Sequence, residues 1–380
     1  MALKRSHLWA RLLASANGAR RSRRPRLGSL TALDFEADQL WVVQATLRGG
    51  QPRLARQQTL RLNPPRNLSP DDPEELGKAL AAALAQAAVS PGSVVMGIPR
   101  TLVMLRTLEL PPADREEEIA AMVHLRWSRD LPFPVDEAVI DFQALPRSSV
   151  PENAPPSSSS DSAPAPGVPT RVLTAVVRRK TVEFYQAVAK AAGVKLVALG
   201  LQSLAGAQAA LAFQPKAATG CVALVSLHPQ EVRFDVLIDG TWAFSRAGAL
   251  PVPGGPSPET DDPSANPTPN PVLLEVVRSL HSYEGTAGHG QVNRFLVTGT
   301  TGGEAPLAEA LTRQLGVPAD VLSTGADARE KPDSPKALPP TLPAVGLALG
   351  ALAPAGLPFD FLNPKRPPWS GTFVASGSWQ

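Results

Sequence analysis

Apolar and polar positions along the chain alternate between short strand-like runs and longer stretches with helical spacing. Near the start, LTALDF and QLWVVQATL flank Glu36, Ala37 and Asp38, and two apolar runs around a polar break predict a β-hairpin within Gly28–Leu47. Glu75–Val89 is alanine-rich and predicts a helix, and VVMGI at Val94–Ile98 predicts a short buried strand. Leu102–Leu110, LVMLRTLEL, predicts another strand, closed by Pro111 and Pro112. In Asp114–Arg129 the apolar residues Ile119, Met122, Val123 and Trp127 fall on one helical face. Asp114 is the expected N-cap there, and Glu116, Glu117 and Glu118 follow in the first turn, where the helix dipole favours anions. Strands are expected at Ala138–Leu145 and Arg171–Val177, then a helix at Lys180–Ala192 that ends at Gly193.

The same grammar then restarts. Cys221–Leu227, Glu231–Ile238 and Thr241–Arg246 read as strands, and Leu273, Val276, Val277 and Leu280 form a helical stripe with Glu275 and Arg278 spaced for an ion pair. A further strand and helix follow. Two halves, each opening with a strand meander and continuing into alternating helices and strands, predict a duplicated α/β architecture.

Three segments interrupt this pattern: Pro146–Pro169, Pro251–Pro271 and Thr324–Pro343, which together hold 20 of the 41 prolines. Stretches so rich in Pro, Ser and Gly bury too little apolar surface to offset their ordering entropy, so irregular surface insertions are expected. With 380 residues and 43% apolar side chains the remainder suffices for a sizeable core, which excludes a fibrous or disordered protein. A single cysteine, Cys221, excludes a disulfide framework and a thiolate metal site, and a small buried residue is its expected role.

Charge is concentrated at one end. Eight of the 37 Lys and Arg residues precede Ser29, where no acid occurs, so the rest of the chain is net −5. LWARLLAS followed by RRSRRPR is too short and interrupted for a signal peptide; it suits an anionic membrane surface, and a solvated leader is the plain alternative. An acidic body without a stacking or helix-turn-helix pattern gives no expectation of a nucleic-acid partner. Leu196–Pro215 and Ala337–Phe359 are long and uncharged, but three glutamines break the first and five prolines the second, so neither is expected to span a membrane.

Motifs of common enzymes are missing: there is no GxxxxGK[ST], HExxH, GxSxG or CxxC. The histidines at 7, 124, 228, 281 and 289 show no metal-ligand spacing. One glycine cluster stands out, TGTTGG at Thr298–Gly303, between the strand-like RFLV and a predicted helix, where backbone NH groups could meet a phosphate.

Taken in order, several of these stretches carry a resemblance. They are RTLELP with the helix after it and DLPFPVDEAVIDFQAL; VLTAVVRRKTVEFYQAVAKAAGVKLVALGLQSLA; Asp239 and Gly240 with Phe244, Ser245 and Arg246, then Glu275, Arg278, Ser279, Leu280 and Tyr283; and Arg294–Leu322 with AVGLALGAL beyond it. Over roughly residues 30–352 the chain resembles the PilM family of type IV pilus assembly, which is related to the cytoplasmic part of type II secretion GspL.

The resemblance implies an actin-like (RNase H-like) two-lobed α/β fold, with a basic tail at 1–29, a first lobe at 30–215, a second lobe at 216–355 and a C-terminal tail at 356–380. Where the family's first phosphate turn reads Asp-Ile-Gly-Ser-Ser, this chain keeps Asp34 and has Glu36 in the glycine position. Ser226, Leu227 and His228 replace the second turn, and Gly299, Gly302 and Gly303 retain part of the adenosine-side turn. A carboxylate at Glu36 opposes phosphate, so the expectation is a pseudo-ATPase with no catalytic residue and no ATP or Mg²⁺ cofactor. Alternatives are an ATPase or sugar kinase of the same superfold using Asp34 and Asp235 for Mg²⁺, or a filament-forming actin homologue.

The resemblance also implies a partner, a PilN-like inner-membrane protein whose cytoplasmic peptide binds near Met122, Leu125, Pro132 and Phe133, and a cytoplasmic location peripheral to that membrane. FDFLNPKRPP near the C-terminus is similar to such a peptide, with Phe361, Leu362, Asn363 and Pro364 as a candidate self-ligand; a tail packing locally is the alternative.

Overall fold

The computed structural model describes residues 27–36, 39–62, 72–145, 169–214, 219–250, 270–285, 290–322 and 341–368; most of the basic tail and of the three insertions lies outside them. Strands β1 (Ser29–Glu36), β2 (Gln39–Arg48) and β3 (Gln51–Arg61) form an antiparallel meander. The β2–β3 turn is Gly49–Gly50, both at positive φ, the backbone that a tight two-residue hairpin requires. Helix α1 (Pro73–Gln86) starts at Asp72, whose side chain accepts the Glu75 amide at 2.9 Å. β4 (Ser93–Ile98) then lies parallel to β1, and β8 (Lys195–Leu201) parallel to β4, giving the sheet order β3-β2-β1-β4-β8.

The second half repeats this plan. β9 (Cys221–Leu227), β10 (Glu231–Ile238) and β11 (Thr241–Ala249) form a meander, and β12 (Arg294–Gly299) and β13 (Ala319–Val321) add parallel strands in the order β11-β10-β9-β12-β13. Matching order and direction in both sheets is the duplication that the sequence pattern predicts.

Between β4 and β8 a smaller unit is inserted. β5 (Met104–Leu110), β7 (Thr170–Arg178) and β6 (Ala138–Ala144) make an antiparallel sheet covered by α2 (Glu116–Asp130). It has its own core of Ile119, Ala120, Val123, Trp127, Ile140, Phe142 and neighbours. Trp127 Nε1 donates to Thr174 Oγ1 at 3.0 Å, so the one polar atom of this buried ring is satisfied. α2 begins at Glu116, two residues later than expected; Arg115 holds the cap position and makes no side-chain cap bond, so Asp114 is not the N-cap.

The remaining helices are α3 (Arg179–Ala191), α4 (Gln202–Phe213), α5 (Pro271–Glu284), α6 (Glu304–Leu315) and α7 (Leu342–Leu352). Among the described residues no helix is long and apolar enough to cross a membrane. The stretch Leu196–Pro215 divides into β8 and the buried helix α4.

Two boundaries differ from the sequence reading. The strand β3, QPRLARQQTLR, is not anticipated, because its polar residues mask the alternation. More consequentially, α7 and the segment after it do not belong to the second lobe and a tail. α7 is buried nearly all round, against α4 and the first sheet, and Leu357, Phe359 and Phe361 enter the same core. A helix apolar on every side needs neighbours on every side, and only the first lobe supplies them. Close approach of α4 and α7 depends on Gly346, where an added Cβ would lie 1.9 Å from the Ala205 carbonyl oxygen.

The lobes meet through apolar side chains. On β9 alternate residues diverge: Val222 and Leu224 join the first lobe's core, while Cys221, Ala223 and Val225 join the core beneath α5 and α6. Cys221 is buried as expected, with its Sγ 3.1 Å from Tyr283 Oη.

Candidate functional site

The C-terminal end of β1, the β9–β10 turn and the N-terminus of α4 converge where the two lobes face each other. Asp34 is buried there and its Oδ1 accepts a 2.5 Å hydrogen bond from Gln202 Nε2. Burial pushes its pKa up to about 7, a rise that the Arg233 guanidinium opposes and the Glu36 carboxylate reinforces. Two residues on, Glu36 accepts from Trp41 Nε1 at 3.0 Å and makes a short contact through Oε1 with His228 Nδ1. For Glu36 burial acts upward, but His228, Arg233 and Trp41 together hold the carboxyl below its ordinary value. The two turns that the resemblance assigns to phosphate are therefore joined to each other by side chains, Glu36 from the first lobe and His228 from the second.

Further contacts close the same region. Arg233 Nε donates to Glu231 Oε1 at 2.5 Å. Arg100, in a short 3₁₀ turn after β4, crosses between lobes and donates to Ser245 Oγ at 2.9 Å, Ser245 O at 2.8 Å and Val103 O at 2.6 Å. Asp235 accepts from Trp242 Nε1 at 3.3 Å, and burial raises its pKa against the opposing pull of Ser245 and Arg100. Asp34 and Asp235 are thus engaged with different partners, and among the described residues no three His, Cys, Asp or Glu side chains come together as a metal site.

In the glycine turn an internal carboxylate engages the backbone. Gly299 and Gly302 have φ of +155° and +82°, and a Cβ on Gly299 would lie 2.6 Å from the Leu227 carbonyl. Glu304, the first residue of α6, accepts the Thr301 amide at 2.8 Å and the Thr301 hydroxyl at 2.9 Å. Gly303 N donates to Thr301 Oγ1 at 3.2 Å. Asp34 and the glycines are placed on separate lobes, Asp34 with Gln202 as its partner and the glycine turn with Glu304.

The expected partner residues lie on the small unit. Met122 is half-buried at the edge of its core, and Leu125, one turn further along α2, is 57% exposed. Pro132 is exposed in the turn that follows, and Phe133 packs at the rim of the same core with the Arg178 guanidinium 4.0 Å over its ring. This carries two apolar side chains at a spacing of one helical turn beside an aromatic corner.

Residues 357–365 go elsewhere. Phe361 N donates to Leu199 O at 2.9 Å and Asn363 Nδ2 to Val197 O at 3.1 Å, so the segment runs along the outer strand β8. Asp360 Oδ1 accepts the amides of Leu199 and Leu362 at 3.2 and 3.1 Å, and Asp141 Oδ2 on β6 accepts the Asp360 amide at 2.8 Å. Lys365 Nζ reaches Asp141 Oδ1 at 2.8 Å. Leu362 packs on the first lobe's core, whereas Met122 and Phe133 belong to the small unit's core, so the structure does not bring the candidate self-ligand onto the expected partner residues. Phe359 and Phe361, each 1% exposed, pack into the first lobe's core. Gln202, Arg233, Arg100, Glu304, Asp141 and Lys365 are partners that sequence reasoning missed; a polar residue within an apolar strand is a signal for Arg233 and Asp141 alone.

Two lobes of like topology with a pair of facing turns define an actin-like protein. A family model described as type IV pilus assembly protein PilM matches residues 65–255, half of the chain, and the chain belongs to that family. Among solved structures it is similar to the PilM–PilN type IV pilus biogenesis complex, 20% identical, covering 87% of this chain and 100% of that one with a TM-score of 0.66, a likeness of fold. Weaker similarity extends to the cytoplasmic domain of EpsL, an inner-membrane component of the Vibrio cholerae type II secretion system, 13% identical over 88% of this chain and 98% of that one with a TM-score of 0.43. The ethanolamine utilization protein EutJ from Carboxydothermus hydrogenoformans is 13% identical over 92% and 98% with a TM-score of 0.40.

Proposed function

We propose that this PilM-family chain is a non-catalytic scaffold of an inner-membrane assembly platform, of a type IV pilus or a type II secretion system, and that it binds the cytoplasmic peptide of a PilN-like membrane-anchored partner. On this reading it works in the cytoplasm at the membrane periphery. The observation that carries the non-catalytic part is the Glu36–His228 contact, because it joins the two turns between which a nucleotide's phosphates would have to enter. Glu304 adds to it by occupying donors of the glycine turn. Asp34 is buried and already engaged by Gln202 Nε2 in that setting. Phosphoryl transfer needs positioned metal and free phosphate-cradling NH groups.

The relative seen in complex with PilN supports the partner. The contact residues we assign are Met122, Leu125, Pro132 and Phe133, since Leu125 exposes a large apolar side chain beside a half-buried Met122.

Calorimetric titration with Mg²⁺-ATP, with Asp34→Ala as control, tests the first part. No heat up to millimolar nucleotide is expected; micromolar binding lost in Asp34→Ala would overturn the pseudo-ATPase reading. Titration with the N-terminal peptide of a PilN-like protein tests the second. Leu125→Glu should abolish binding while leaving the melting temperature within a degree or two, because the residue is exposed. Unchanged affinity in Leu125→Glu and Phe133→Ala would remove this face from consideration.

A further inference from the structure

The outer edge of the first lobe carries a cationic face without counter-charges. From Gln39 to Pro70 the sequence contains no Asp or Glu and five arginines. Four of these, Arg48, Arg53, Arg56 and Arg61, lie in β2 and β3; all are exposed, and none has an ion-pair partner among the described residues. Elsewhere half of the exposed arginines are paired: Arg106, Arg115, Arg126, Arg178 and Arg278 lie within 4 Å of a carboxylate, whereas Arg129, Arg171, Arg179, Arg313 and Arg366 have no ion-pair partner among the described residues and are scattered over separate elements.

Strand register decides which of the four act together. Arg53 stands opposite Thr46 and Arg56 opposite Gln44, although residues three apart in a regular strand face opposite sides. The irregularity at Gln44/Ala45 inserts Ala55 as an extra residue, and this bulge turns Arg53 and Arg56 to the same face. Arg48 follows Thr46 by two residues and joins them. Arg61, opposite Gln39, belongs to the other face at the far end of the strand. The three clustered arginines thus flank a hairpin tip made of Gly49 and Gly50, from which no side chain projects.

The chain's basic leader attaches at this end of the sheet. Gly28 O accepts the Leu47 amide at 2.8 Å, one residue from Arg48, and Arg26 lies two residues before Gly28 in sequence. A leader with eight basic residues and the apolar Leu8, Trp9, Leu12 and Leu13 is therefore joined beside the arginine face.

We propose that the Arg48–Arg53–Arg56 face docks on an anionic lipid bilayer and that this face, with the hairpin tip it flanks, sets how the first lobe sits on the membrane. A polybasic surface gains about fivefold in affinity per cationic side chain near anionic headgroups, so three arginines are a substantial contribution. A bilayer fits better than nucleic acid: the chain beyond Ser29 is net −5, and the sole aromatic of these two strands, Trp41, is buried on the opposite face and offers no stacking platform. This deepens the membrane-peripheral reading above, but its test contains no protein partner, so either can fail alone.

The test is vesicle sedimentation of the full chain, with phosphatidylglycerol–phosphatidylcholine vesicles compared with phosphatidylcholine alone. Arg48→Gln/Arg53→Gln/Arg56→Gln is compared with Arg61→Gln/Arg171→Gln/Arg313→Gln, which removes the same charge elsewhere; circular dichroism checks that both fold. Binding to anionic vesicles only, weakened about tenfold or more in the first variant and far less in the second, is the expected result. No binding, or equal loss in both variants, overturns the proposal. Tighter, face-dependent retention of duplex DNA than of vesicles would overturn it in favour of a nucleic-acid surface.

Discussion

Replacing Asp34 by asparagine should stabilise the protein, and by an amount that depends on pH. The carboxyl is buried and its pKa rises from 3.8 to about 7 on folding, mainly through burial. A group whose folded pKa exceeds its unfolded one binds more protons in the folded state, so stability falls as pH rises from the unfolded value to the folded value and is flat above it. Each pH unit across that window corresponds to about 1.4 kcal/mol. The wild-type carboxyl therefore costs roughly 4 kcal/mol at pH 8 but only about 1–2 kcal/mol at pH 5. The amide introduced by Asp34→Asn cannot ionise and keeps an oxygen for the Gln202 Nε2 hydrogen bond. Its gain over wild type should be larger at pH 8 than at pH 5 by about 3 kcal/mol, whatever constant the amide itself adds. Thermal unfolding of both proteins at pH 5 and pH 8 measures this, with an expected difference of about 4–5 °C for a chain of this size. An equal effect of the substitution at both pH values would refute the buried, neutral Asp34.

Other consequences are more local. Gly346→Ala places a methyl group 1.9 Å from the Ala205 carbonyl oxygen, so α4 and α7 must separate; a loss of about 3 kcal/mol or more in denaturant unfolding is expected. Lys365→Ala strips the cation from Asp141, which is 1% exposed, and should cost about 3–5 kcal/mol, part of which returns in the Asp141→Asn double variant. If both single and double variants unfold like wild type, residues 357–365 are not anchored on β6 as described. Arg100→Ala breaks hydrogen bonds to Ser245 across the lobes, and hydrogen exchange of the β11 amides should accelerate while the small unit around α2 stays protected.

The repeated meander, the small apolar strands and most helices were legible in the chain, because each half carries its own period-two and helical patterns. The glycines of Thr298–Gly303 could be singled out as a cluster, and Asp34 and Glu36 through the family resemblance, which has glycine where this chain has Glu36. Residues such as Gln202 and Arg100 could not, for they matter only through what folding sets beside them.

What the sequence determined by itself was therefore the kind of most elements, though not of the polar strand β3, and the duplicated plan, which rest on interactions within a few residues. Only the tertiary structure decided the rest. It sent α7 and Phe361 back into the first lobe, because a helix apolar on all sides must be enclosed and the α4 surface at Ala205 admits only glycine. It joined Glu36 to His228 across 192 positions, and Asp141 to Lys365 across 224. Such pairs follow from packing of whole sheets, and no spacing along the chain encodes them.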